Sequence, residues 1–125
     1  MIATVRGRPA LPLHAALLAA VLACGPADPA TSCPRDLPMS CPVPAPSFSG
    51  QIQAIYQAKC QACHAPGGQE STKPFTTLAQ IRAEPLSTML GQVYNCVMPK
   101  AGAPPLTPDE RQALLGWLVC MEPDN

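Results

Sequence analysis

The stretch CQACH, Cys60 to His64, constrains this chain more than any other. Two thiols stand three residues apart, and an imidazole follows the second directly. Three chemistries use such a cluster: covalent attachment of a c-type haem, a tetrahedral zinc ion, or a redox dithiol. The haem option has a simple local logic. Two thiols on one helical turn reach the two vinyl groups of a single porphyrin and hold its edge through thioethers. His64 then lies under the iron and offers one ring nitrogen, while the other donates to a backbone carbonyl that the sequence does not identify. Zinc needs four protein ligands, so Cys96 or Cys120 would have to join the cluster. Adjacent Cys63 and His64 are awkward partners for one tetrahedral ion. A dithiol expects a βαβ pattern nearby, and no segment here alternates with period two over a useful length. Haem is the favoured ligand.

The first residues bear on where the chain goes. Arg6 and Arg8 precede an apolar run, Ala10 to Ala23, with no acid before it. At about 14 residues the run is too short for a bilayer, which takes about 20. A basic stretch before a short apolar one reads as a secretory signal. Export agrees with haem attachment, which bacteria perform outside the cytoplasm. The run ends VLAC, and a small residue before Cys24 resembles the lipobox of bacterial lipoproteins. Cleavage before Cys24 would leave a lipid-bearing cysteine at the new N-terminus and anchor the chain to a membrane. From Cys24 onward there are six bases and eight acids, a balance of −2. Nothing favours nucleic acid, which asks for a basic patch.

From Gly25 to Ser47 the chain carries seven prolines and few large apolar residues. Proline fixes φ and removes a donor, so this segment reads as a semi-extended spacer. Helical spacing begins after Ser47. Ile52, Ile55, Tyr56 and Lys59 or Cys60 share one face and lead into the cysteine motif. Thr76 or Thr77 caps a short helix with Leu78 and Ile81 on one side. Leu86, Met89, Leu90, Val93 and Tyr94 form the clearest apolar face. Thr107 and Glu110 make a capping box, with Pro108 at the first helical position. Asp109 and Glu110 therefore read as helix-start carboxylates. The last helix should bury Leu114, Trp117, Leu118 and Met121. The class is all-α. Its core is poor in aromatics for a domain this small, and a bound apolar group would supply what the side chains lack.

Seven cysteines need assigning. One goes to lipid and two to CQACH, leaving Cys33, Cys41, Cys96 and Cys120. An even remainder in an exported chain suggests disulfides. Three pairings are open. The favoured one is Cys33–Cys41, closing a tight loop inside the spacer, with Cys96–Cys120 tying the Met98 loop to the last helix.

A six-coordinate iron needs a second axial ligand. The chain has two histidines, and His14 falls in the segment expected to be removed. Methionine is the alternative, and a thioether raises the haem potential. Met39 lies in the spacer, and Met89 and Met121 fall on apolar helix faces. Met98 stands in a loop stiffened by Pro99, Pro104, Pro105 and Pro108, and is the candidate. Without a methionine ligand the iron would be open to a small gas.

The segments SFSGQIQAIYQAKCQACH, VMP and TPDERQALLGWLVCM together resemble a small class I cytochrome c, over Phe48 to about Met121. The resemblance implies an all-α fold of about four short helices around one covalently bound haem c. It implies that the first and last helices cross, with Tyr56 and Trp117 packed at the crossing. It also implies an exposed haem edge through which electrons pass to redox partner proteins. The chain departs from the family pattern in its short spacing between CQACH and Met98, and in adding Cys96 and Cys120.

The expected organisation is a lipoprotein signal over 1–23, a lipid-anchored linker over 24–47 and a cytochrome c domain over 48–125. The expected role is an outer-sphere one-electron carrier, not an enzyme, anchored to a bacterial membrane and facing the periplasm. With His64 on the iron, no histidine remains for a triad. Two alternatives stay open. One is an open-iron enzyme or sensor, peroxidase-like or gas-binding. The other is a structural lipoprotein stapled by zinc or disulfides.

Overall fold

The computed structural model describes residues 33–124. The expected signal over 1–23, Cys24 and the start of the linker lie outside the described residues. Within them there are four helices and no strand. Helix α1 spans 48–60, α2 is Leu78–Arg82, α3 is Leu86–Tyr94 and α4 is Pro108–Val119. No helix among the described residues is long and apolar enough to cross a membrane.

Local chemistry sets where each helix begins. The Ser47 hydroxyl accepts from the Gly50 N–H at 3.2 Å and starts α1. Thr77 caps α2 in a capping box with Gln80. At α4 the Glu110 N–H donates to Thr107 Oγ1 at 3.2 Å, and the Thr107 N–H donates back to the Glu110 carboxylate at 2.7 Å. The first helix is not regular. It opens as a wide turn over Phe48–Ile52, tightens over Gln53–Ile55 and widens again over Tyr56–Cys60. In the wide turns the N–H reaches five residues back, as from Gln61 to the Tyr56 carbonyl at 2.9 Å. Wide turns of this kind are frequent at functional sites, and here one delivers the chain into CQACH.

Helices α3 and α4 end alike. After α3, the Val97 N–H donates to the Gln92 carbonyl and the Cys96 N–H to the Val93 carbonyl, at 2.9 and 3.1 Å. After α4, Glu122 and Met121 repeat the pattern on Trp117 and Leu118, both at 3.0 Å. This cap needs a left-handed residue, normally glycine. Here Cys96 and Met121 fill that position, with φ of 56° and 63°. Met121 consequently leaves the helix and is 77 % exposed. The expectation that it shares the buried face of α4 is corrected: the helix stops at Val119, so periodicity no longer governs residue 121.

The core is built where α1 crosses α4. Trp117 is fully buried, and the Tyr56 ring meets it edge-on at 6.2 Å. Phe48 packs on its other side at 5.7 Å. Ile52, Leu114, Leu115 and Leu118 fill around them, and the indole N–H donates to the Pro123 carbonyl at 3.0 Å. Helix α2 adds Ile81, and α3 adds Met89 and Val93.

The disulfides differ from the favoured pairing. They join Cys33 to Cys96 and Cys41 to Cys120, with Cα separations of 5.7 and 4.7 Å. The reason is the path of the proline-rich segment, which runs beside α4. Asp36 meets Arg111 and Gln112 at its first turns, and Cys41 meets Cys120 at its end. Five extended residues cover about 15 Å, and nine helical residues rise about 13.5 Å, so the two stay in step. The eight extended residues from Cys33 to Cys41 cover about 25 Å, whereas a bridge needs Cα atoms within about 7 Å. Cys96 and Cys120 fail for the same reason, because they sit at opposite ends of α4. Gly116 makes room for the segment: a Cβ there would stand 3.0 Å from Pro42 Cγ. Residues 33–46 are thus extended, as their prolines imply, but stapled to the helices instead of hanging free.

Arg111 completes this attachment. Although charged, it is 6 % exposed. Its guanidinium donates to both Asp36 carboxylate oxygens and to the carbonyls of Val93 and Tyr94, the latter at 2.6 and 3.0 Å. A cation at the C-terminal end of α3 is favoured by the helix dipole. The Arg111 hydrogen bonds hold the Asp36 carboxyl below its ordinary range.

Candidate functional site

The motif leaves α1 in one tight turn. The N–H groups of Cys63 and His64 both donate to the Cys60 carbonyl, at 3.1 and 2.9 Å. The chain then loops out and returns at Phe75. Gly68 is required in this loop, since a Cβ would collide with the Cys63 carbonyl. That same carbonyl accepts from the Glu70 N–H at 3.0 Å. On the return, the Phe75 N–H donates to the His64 carbonyl at 2.7 Å, and the Gln61 side-chain amide donates to the Phe75 carbonyl at 3.1 Å.

His64 is held from two directions. Its Nδ1 donates to the Lys73 carbonyl at 2.9 Å. The Phe75 ring stacks on the imidazole, with centroids 4.2 Å apart and planes 15° from parallel. A carbonyl only accepts, so Nδ1 carries the proton and Nε2 keeps its lone pair. The ring is thus an oriented donor with one basic nitrogen, the state a metal-bound histidine needs. Neither Lys73 nor Phe75 was identifiable from the sequence. Both act through a return loop whose path depends on Gly67 and Gly68.

Cys60, Cys63, His64 and Met98 line one cleft. Counting the solvent at its mouth, the cleft holds about 1060 Å³. Its walls are largely apolar, with Phe75, Val93, Leu106 and Leu114 among them. Met98 enters from the loop after α3, where its N–H donates to the Gln92 carbonyl at 3.0 Å. Met89 also lines the cleft while belonging to the core, so a second thioether stands near the first. Met39 is fully exposed.

Among the described residues, Cys60 and Cys63 are the free cysteines. Burial, and then the neighbouring Cys63, push the Cys60 thiol up to about 12. A thiol held protonated is a poor redox nucleophile. Cys96 and Cys120, which a zinc site would need, are both committed to disulfides. No cluster of three or more His, Cys, Asp or Glu among the described residues is placed to hold an ion.

Two polar atoms at the cleft have no partner: the Tyr56 hydroxyl and Gln92 Oε1 are both buried and unbonded. A buried unpaired polar group is costly and asks for a ligand or water. Burial drives the Tyr56 phenol well above its ordinary range, with Cys60 and Glu122 adding to the effect. These two residues escaped the sequence reading, which placed Tyr56 in the core and left Gln92 unassigned. The donor set fits a haem: two free thiols, one oriented imidazole, a thioether, apolar walls and two orphaned polar groups.

Charges at the mouth are compensated in pairs. Lys59 donates to the Pro105 carbonyl at 2.9 Å and pairs with Glu110 at 3.3 Å. Lys100 pairs with Glu70 at 3.2 Å, and Lys73 lies 3.9 Å from Glu84. The hydrogen bond from Lys100 holds the Glu70 carboxyl below its ordinary range, and the Thr107 backbone does so for Glu110.

Comparison with known proteins gives a family. Neither the curated proteins nor the solved structures contain a match. Residues 50–118 match the family model described as cytochrome c oxidase, cbb3-type, subunit III. That range runs from α1 through CQACH, α2, α3 and the Met98 loop to the last turn of α4. The chain belongs to this family, and its folded part is a small mono-haem class I cytochrome c domain, all-α, that carries haem c covalently and serves electron transfer.

Proposed function

We propose that this protein is a one-electron carrier in which Cys60 and Cys63 would hold the haem and His64 and Met98 would bind its iron. The haem supplies one reversible electron at that iron. The chain supplies orientation and exclusion of water. The Lys73 carbonyl and the Phe75 ring keep the His64 Nε2 lone pair aimed into the cleft, and the apolar walls keep solvent from the iron. With His64 and Met98 both on the iron, the haem would supply electron transfer without bond chemistry at the metal. The haem potential is raised by a thioether ligand.

The observation that carries this reading is that CQACH and Met98, from two separate elements, line the same cleft. We further propose that the chain is exported, carries lipid on Cys24 and works at a bacterial membrane facing the periplasm, with redox proteins as its partners. These steps rest on Arg6, Arg8, the apolar run and VLAC. Redox encounters of this type are usually small and weak.

The decisive experiment is an optical spectrum of the holoprotein, made in a host that attaches haem. The oxidised wild type shows the weak far-red band of sulfur-to-iron ligation, and the reduced form does not bind carbon monoxide. Met98→Ala loses the band and gains carbon monoxide binding, whereas Met89→Leu keeps the band. A band lost in Met89→Leu instead would move the ligand to Met89. A wild type that binds carbon monoxide at once would favour the open-iron enzyme or sensor.

A further inference from the structure

We infer that the Cys33–Cys96 bridge, together with the Arg111–Asp36 pair beside it, is a positioning device for Met98, locking the root of the ligand loop against the end of α3. The inference rests on the reading that Met98 binds the iron. Four observations carry it.

The first is proximity along the chain. Cys96 stands two residues before Met98, and nothing regular intervenes. The second is the cap of α3. The Gln92 carbonyl accepts from both Val97 and Met98, at 2.9 and 3.0 Å, so the loop root is bonded to the helix end. That cap requires Cys96 to stay left-handed at φ 56°, a conformation unfavourable for a non-glycine residue. Cys96 is itself bridged, so the disulfide acts directly on the residue in this conformation. The third is the packing of the segment containing Cys33. Arg111 donates to the Pro34 carbonyl at 3.3 Å, to Asp36, and to the Val93 and Tyr94 carbonyls. One buried guanidinium therefore ties the segment after Cys33 to the same helix end that carries Cys96.

The fourth is the contrast with the other bridge. Cys41–Cys120 closes the far end of α4, and no residue within two positions of either cysteine lines the cleft, whereas Met98, two positions after Cys96, does. Two similar long-range disulfides thus differ in one respect: only one sits at the base of the ligand loop. Beyond Met98 the loop is held only by noncovalent ties, Lys100 to Glu70 and Lys59 to the Pro105 carbonyl. The Cys33–Cys96 bridge is its covalent anchor.

The test compares Cys33→Ser/Cys96→Ser with Cys41→Ser/Cys120→Ser as oxidised holoproteins. The quantity read is the rate at which added imidazole displaces the thioether, followed by loss of the far-red band. Cutting the Cys33–Cys96 bridge should speed displacement by about tenfold, whereas cutting the other should leave it within about twofold of wild type. Both variants should lose thermal stability, so a merely structural role predicts equal displacement rates. If Cys33→Ser/Cys96→Ser fails to mature, the matured Cys41→Ser/Cys120→Ser holoprotein serves instead. It retains one bridge, which a phosphine opens and iodoacetamide blocks, and the same acceleration is expected. Equal rates after cutting either bridge, or no acceleration after opening Cys33–Cys96, overturn the inference and leave the ligand assignment standing. A wild type without the band, spectrally identical to Met98→Ala, overturns the ligand assignment, and the inference falls with it.

Discussion

At the residue scale, the site depends on how few groups orient His64. One carbonyl and one stacked ring fix the imidazole, and neither is adjacent to it in sequence. Arg111 has the corresponding role for the scaffold. It is a buried cation whose partners come from two distant parts of the chain, residues 34–36 and 93–96. Removing it takes the buried charged partner from Asp36, which keeps only Gln112, and one donor from each of two helix-end carbonyls, so Arg111→Met should lower stability by about 3 kcal/mol, read as a shift in urea midpoint. The pair also sets a pH dependence. A carboxyl held low in the folded state contributes stability that is complete above its ordinary value of 3.8 and is lost as pH falls through the folded value. Glu122 has the opposite sign. Burial raises its carboxyl, so its contribution is complete below 4.5 and is lost as pH rises through the raised value. Asp36→Asn should therefore be less stable than wild type at neutral pH, with the difference shrinking below about pH 4. A constant difference in urea midpoint down to acid pH would contradict the assignment to Asp36.

At the element scale, much was legible because helix starts are written locally. Thr77, Thr107 and Glu110 cap where their side chains reach the first free N–H groups, and such reach is a matter of three residues. Helix ends were less legible. The caps after α3 and α4 place cysteine and methionine where glycine is usual, so the sequence carried no stop signal, and Met121 was assigned to a face that the helix never reaches. The disulfides were illegible for a different reason. Pairing depends on the path of the proline-rich segment, and that path is set by contacts of Pro42 with Gly116 and of Asp36 with Arg111, between segments far apart in sequence. The observed bridges close loops with separations of 63 and 79 residues. Each constrains the unfolded chain by about 4 kcal/mol when taken singly. Cys41→Ser/Cys120→Ser should lower unfolding free energy by about that amount and expose residues 33–46 to proteolysis. Unchanged protease resistance would mean that the segment is held by Arg111 and the remaining bridge alone.

At the scale of the whole molecule, α1, α3 and α4 each give residues to one cleft that lies beside their shared core. Tyr56 and Phe75 line it, and Phe48 and Trp117 pack behind Tyr56 in the core. The same cleft holds two thiols, two thioethers and two orphaned polar groups, which is a poor core without a large apolar occupant. The family match and the cleft point to the same occupant, and CQACH alone already named it. What the sequence left open was the geometry behind the motif: the Lys73 carbonyl, the Phe75 stack and the anchored root of the Met98 loop all arise from contacts between distant segments. Haem attachment is thus both the functional and the structural premise of the fold. It is tested most directly by the intact mass of the exported protein, made in a host with the attachment machinery. The wild type should carry the mass of one haem, and Cys60→Ser/Cys63→Ser should lack it. A wild-type product with no added tetrapyrrole would contradict the account.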